Sequence, residues 1–119
     1  MILDHTIVPS HDKVTAAKWI ADLFGVPYAG QQGHFAPVKV NDTLSLDFDN
    51  AEDFASHHYA FYVTDEEFDQ VFDRVKERGV VYGSGPRSQD DMQLNHRHEG
   101  RGFYFRDADG HSWELLTRK

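Results

Sequence analysis

The chain contains no cysteine. That absence removes disulfide frameworks, thiolate metal sites and cysteine nucleophiles, and it leaves the redox compartment open. Basic charge is scarce. Twelve Lys and Arg stand against 20 Asp and Glu, for a formal charge of −8. Phosphate binding needs a basic face, so no nucleic-acid partner is expected, whereas a cationic ligand or a bound metal suits the acidic balance. Long apolar runs are missing too, so no membrane partner is expected. With no leader ahead of the first apolar run, a cytoplasmic location is the default. What is present, 39% hydrophobic and 27% charged over 119 residues, is the composition of one globular domain or of two small modules sharing a core.

The order of signals repeats. A first apolar run, Ile2 to Val8, predicts a strand. A helix follows from near Asp12, with Ala16, Trp19, Ile20, Leu23 and Phe24 at helical spacing and Gly25 as its stop. Three strand-like segments come next, near Pro27 to Gln31, His34 to Val40 and Thr43 to Asp49, with Asn41-Asp42 as the last turn. The second half opens on His58 to Val63. Thr64 and Glu67 then form a capping box for a helix bearing Phe68, Val71, Phe72 and Val75 and ending at Gly79. Val80 to Tyr82 reads as a short strand, and Gly102 to Arg106 with His111 to Thr117 as a hairpin across Asp107-Ala108-Asp109-Gly110. From His5 to Gly25 is 20 positions and from His58 to Gly79 is 21, so ligand, strand, helix and glycine recur at nearly one spacing. The expectation is an α+β fold with two βαβββ modules, residues 1–50 and 56–119, forming a single domain over 1–119. The stretch from Gly83 to Arg101 is polar and aperiodic. A loop of this length is expected to cover a site and to move. It carries His96 and His98, for which a base or lid role competes with the plainer reading of solvated loop histidines.

Three potential ligands sit inside predicted strands, where a side chain is aimed rigidly: His5, His58 and Glu114. Two imidazoles and a carboxylate are an ordinary donor set for Zn, Mn, Fe, Co or Ni, with positions left for substrate or water. His57 neighbours His58 and points to the opposite face of an extended strand, so a register slip of one exchanges them. Within Thr43 to Asp49, alternation puts Leu44, Leu46 and Phe48 on one face and Thr43, Ser45, Asp47 and Asp49 on the other. His111, Asp107 and Asp109 read as turn residues rather than ligands.

The run Gly102-Phe103-Tyr104-Phe105-Arg106-Asp107-Ala108-Asp109-Gly110-His111-Ser112-Trp113-Glu114 resembles the C-terminal hairpin of the vicinal oxygen chelate (VOC) superfamily, with Ala108 in place of the usual proline. His58-Tyr59-Ala60-Phe61 resembles that family's second-module opening strand, and Asp4-His5 the first. The resemblance spans essentially the whole chain. It implies curved sheets around a metal and ligand cavity, with His5, His58 and Glu114 as ligands and Asp47, where a glutamate is usual, as a candidate fourth. It also aims Tyr104 at the cavity as a catalytic group beside Glu114, and it implies a homodimer.

The chemistry implied is a divalent metal acting as Lewis acid on a small oxygen-bearing substrate, in a lyase, isomerase, transferase or dioxygenase role. The fosfomycin-transferase type is not expected, because Ile7 stands where that class has a threonine and only five residues follow Glu114, where that class carries basic residues on a C-terminal extension. The alternative is a non-catalytic, bleomycin-resistance-like protein that binds a drug.

Overall fold

Side-chain oxygens begin both helices. In the computed structural model, which describes residues 1–119, the Asp12 carboxylate accepts the Thr15 N–H at 3.1 Å and starts helix α1, Lys13–Phe24. Gly25 ends it in the left-handed conformation (φ 70°), its N–H returning to the Ala21 and Asp22 carbonyls. Helix α2, Asp65–Glu77, opens on the capping box read from sequence. The Thr64 hydroxyl accepts the Glu67 N–H at 3.1 Å, and the Glu67 carboxylate accepts the Thr64 N–H at 2.9 Å.

The chain divides into two compact units, Met1–Ala55 and Ser56–Lys119. The first holds strands β1 (His5–Ser10), β2 (Ala36–Lys39) and β3 (Ser45–Asn50) in the order β1-β3-β2, with β1 parallel and β2 antiparallel to β3. Leu46, Phe48, Val8, Ala36 and Val38 are buried together with Ala17, Ile20, Ala21 and Leu23 of α1. Two expectations change here. The opening strand starts at His5, not Ile2, because Ile2 and Leu3 are exposed and pair with nothing in the sheet. The segment near Pro27 to Gln31 is not a strand; an isolated bridge between Gln32 and Phe35 is what precedes β2. The helix also buries Ala17 and Ala21 where Ala16 was expected. The Asn41 turn holds: its side-chain oxygen accepts the N–H groups of Thr43 and Leu44 at 2.8 and 2.9 Å.

The second unit holds β4 (His58–Tyr62), β5 (Tyr82–Gly83), β6 (Gly102–Arg106) and β7 (Ser112–Leu116) in the order β4-β7-β6-β5. The last strand thus lies between β4, to which it is parallel, and β6, to which it is antiparallel. One sheet face carries Tyr59, Phe61, Trp113, Leu115, Phe103, Phe105 and Tyr82. Phe68 and Phe72 of α2 pack on Phe103 with ring centroids 5.3 and 5.2 Å away. The architecture is α+β with two mixed sheets, as the sequence suggests.

The segment after β5 is folded onto this sheet. Met92 N–H bonds the Tyr82 carbonyl, Asn95 and Gly102 exchange backbone bonds, and Asp91 accepts from the Ser84 hydroxyl and the backbone N–H groups of Ser84 and Gln93. Gln89 is buried and donates to Ser112 Oγ at 3.0 Å. Gly83 makes this closeness possible: a Cβ there would lie 1.8 Å from the Ser88 carbonyl oxygen.

Candidate metal centre

Register decides which histidine meets the glutamate. Tyr59 stacks on Trp113 at 4.7 Å between centroids, and Phe61 lies parallel to Trp113 at 6.3 Å. A slip by one residue would turn these aromatics out of the core, so burial fixes the pairing. In that register Ala60 faces Glu114 across the parallel pair, and His58, two residues earlier, shares their face. The result is a contact of 2.9 Å between His58 Nε2 and Glu114 Oε1. The His58 side chain is 50% exposed and that of Glu114 is 12% exposed, so the imidazole is reachable while the carboxylate is held. His57 lies elsewhere. Its backbone N–H donates to His111 Nδ1 at 3.0 Å, and its ring stacks along Tyr59 on the aromatic side. His111 is buried and serves this turn.

Tyr104 stands opposite Glu114 across β6 and β7 and is buried. Burial raises its phenol above the ordinary value. Arg97 opposes that shift, while a hydrogen bond to Glu114 adds to it. Arg97 Nη1 donates to Tyr104 Oη at 2.8 Å. A polar row therefore runs Arg97, Tyr104, Glu114, His58. Arg97 is the member that sequence reading passes over. Its signal was available: an arginine between His96 and His98, in the loop that enters the tyrosine-bearing strand.

In the first unit, His5 faces Ser45 and Ile7 faces Asp47. His5 and Asp47 are on the open face, opposite the buried Leu46 and Phe48. They are not hydrogen-bonded to one another. His5 Nδ1–H donates to the Asp4 carboxylate at 2.8 Å, while Ser45 Oγ donates to Asp47 Oδ1 at 2.7 Å. The Asp4 bond, then the Asp47 charge, raise the His5 pKa against a lowering by burial. Neither unit by itself gathers three His, Asp or Glu side chains into a metal-holding group.

The donor chemistry of each half nevertheless fits a divalent ion. His58 Nε2 and Glu114 Oε1 are 2.9 Å apart, hydrogen-bonded to one another and near enough for one ion to be held by both. For His5, the bond from Nδ1–H to a carboxylate fixes the tautomer that leaves Nε2 as a neutral donor, the usual outer-shell arrangement of a ligating histidine.

An α+β chain with donors on the opening strands of both units and on the closing strand has a glyoxalase-like fold. The family model described as Glyoxalase/Bleomycin resistance protein/Dioxygenase superfamily matches residues 2–115, and the chain belongs to that superfamily. Glutathione transferase FosA of Serratia marcescens is 27% identical over 120 residues, which cover 95% of this chain and 78% of that protein. Among solved structures, Oxidase ChaP-H2 matches with a TM-score of 0.93 at 39% identity, over 100% of this chain and 94% of that one. Oxidase ChaP-H1 matches with a TM-score of 0.92 at 39% identity, over 100% and 97%. Fosfomycin resistance protein FosX from Mesorhizobium loti shares the fold, with a TM-score of 0.64 at 21% identity over 100% and 92%.

Proposed function

We propose that the chain is a metal-dependent enzyme of the oxidase type, acting on a small oxygen-bearing molecule, with His5, His58 and Glu114 as ligands and Asp47 as a candidate fourth. The His58–Glu114 pair carries this reading, because a half-exposed imidazole held 2.9 Å from a fixed carboxylate is a ready two-donor site. The oxidases at 39% identity over the whole chain favour oxidation over the glutathione transfer named for the relative at 27%. A divalent ion held there supplies Lewis-acid polarisation of substrate oxygens or, as Fe(II), activation of dioxygen.

The chain's own groups do the rest. Glu114 would offset the cation, and its charge lies close enough to Tyr104 to raise that phenol. Tyr104 Oη, held between Glu114 and Arg97, is the atom through which a proton reaches or leaves the substrate. A phenol is protonated at neutral pH, and burial shifts this one further in the same direction, so it serves as donor before acceptor. The protein works as a homodimer in this reading, since units of this size bury little core alone.

The test is metal analysis of protein purified without a histidine tag, coupled to dioxygen uptake across a panel of catechols, quinols and enediols. A stoichiometric ion, lost in Glu114→Gln and His58→Ala but kept in His57→Ala, is the expected result. A metal-free protein that binds a cationic drug tightly would instead establish the non-catalytic alternative.

A further inference from the structure

The loop that enters β6 is closed at its base. Asn95 and Gly102 exchange backbone hydrogen bonds at 2.9 and 3.0 Å, and inside this clamp the Gly100 N–H reaches the Arg97 carbonyl at 2.9 Å. His98 and Glu99 take φ values of 55° and 64°, a region that residues bearing a Cβ seldom occupy. Such strain persists only where the surroundings over-determine it. Here it reverses the chain so that Arg97 lies back against β6. The Arg97 N–H is also tied to Asn95 Oδ1 at 3.3 Å.

The guanidinium held in this way has no carboxylate partner. Arg101, four residues on, is ion-paired with both Asp65 and Asp69. Arg97 instead gives one N–H to a neutral phenol and lies over that ring, 5.5 Å from its centroid. On its other side Nη2 comes within 3.4 Å of where a Cβ on Gly85 would be. The fork has five N–H groups, and its planar shape matches a carboxylate or an ionised hydroxyl better than a tyrosine hydroxyl. A chain of net charge −8 repels anions over most of its surface, so a fixed, unneutralised cation beside the Tyr104–Glu114–His58 row marks where one is admitted.

We infer that Arg97 is a specificity-determining residue that receives an anionic oxygen of the substrate, with Tyr104 as its neutral companion. The substrate class is thereby narrowed to oxygen acids, either carboxylates or hydroxyls ionised on binding. The inference takes the substrate site from the ligand reading of His58 and Glu114, but the anion contact itself needs no metal.

Two arms test it on the full chain. In the first, metal-stripped protein is titrated calorimetrically with benzoate and with neutral benzyl alcohol. In the second, zinc-loaded protein is titrated with catechol. Arg97→Gln should weaken the anion that is recognised by roughly tenfold or more, the size expected of a lost charge-assisted bond, and Arg97→Lys should restore part of it. Arg78→Gln, at the C-cap of α2 and ion-paired with Glu77, controls for net charge and should change nothing. Dependence on Arg97 in the benzoate arm identifies a carboxylate; dependence only in the catechol arm identifies an ionised hydroxyl. If neither arm responds to Arg97→Gln in a variant that melts like the parent, the inference is overturned. Failure to bind zinc alongside Arg97-dependent benzoate binding overturns the ligand reading and leaves this one standing.

Discussion

Asp107 does more than its turn position suggests. Oδ1 accepts the N–H groups of Asp109 and His111 at 3.0 and 2.9 Å, and Oδ2 accepts the indole N–H of the buried Trp113 at 2.9 Å. One carboxylate thereby sets the hairpin and the rotamer of the ring that fixes the β4–β7 register. Asp107→Ala should cost about 3 kcal/mol in urea denaturation, through an unpaired buried N–H and a loosened turn. Asp107→Asn should cost less, since its oxygen still accepts on one side while its NH2 opposes a donor on the other. If Asp107→Ala proved neutral, the register would have to be fixed by the aromatic stack alone.

Elements differ in how far the sequence discloses them. Both helices, their caps and the C-terminal hairpin are legible, because Asp12, Thr64, Glu67, Gly25 and the turn at 107–110 act within a few residues of themselves. The expected strand near Pro27 is absent because no partner strand pairs with it, and partners are a long-range matter. Ala17 and Ala21 replace Ala16 on the buried face since alanine contributes little to periodicity. At the site, the strands that carry His5, His58 and Glu114 are legible. The His58–Glu114 contact is not, because 56 residues separate its members and only the parallel register unites them. The loop after β5 was expected to be aperiodic, yet side chains organise it. Asp91 is central, and its bonds, first that from the Ser84 hydroxyl, hold its carboxyl below the ordinary 3.8. A depressed acid of this kind contributes stability above its unfolded value and loses it as pH falls through the folded one. Protection of the Ser84 and Gln93 amides against exchange should therefore fall below pH 3.8, and Asp91→Asn should remove that pH dependence. Amides that exchange equally at pH 3 and pH 5, after correction for intrinsic rates, would show that another group secures the loop.

For the whole molecule, no helix is long and apolar enough to cross a membrane. The ligand proposal makes stability depend on metal. An ion bound by the folded state alone adds about 2.7 kcal/mol at a free concentration 100 times Kd. Zinc or iron should thus raise the Tm of the parent, leave that of Glu114→Gln nearly unchanged, and saturate at one ion per chain. Sedimentation should show a dimer at micromolar concentration and physiological salt; a monomer there would remove the homodimer from the proposal. The position of β7 has one more consequence. It is the latest strand in the sequence and yet lies inside the second sheet, hydrogen-bonded on both sides. During synthesis the sheet cannot close until residue 116 has left the ribosome, so β4 and β6 wait without their shared neighbour. The donor pair does not exist before that moment. In a nascent or unfolded chain His58 and Glu114 are 56 residues apart, so this particular pairing is a property of the finished fold alone.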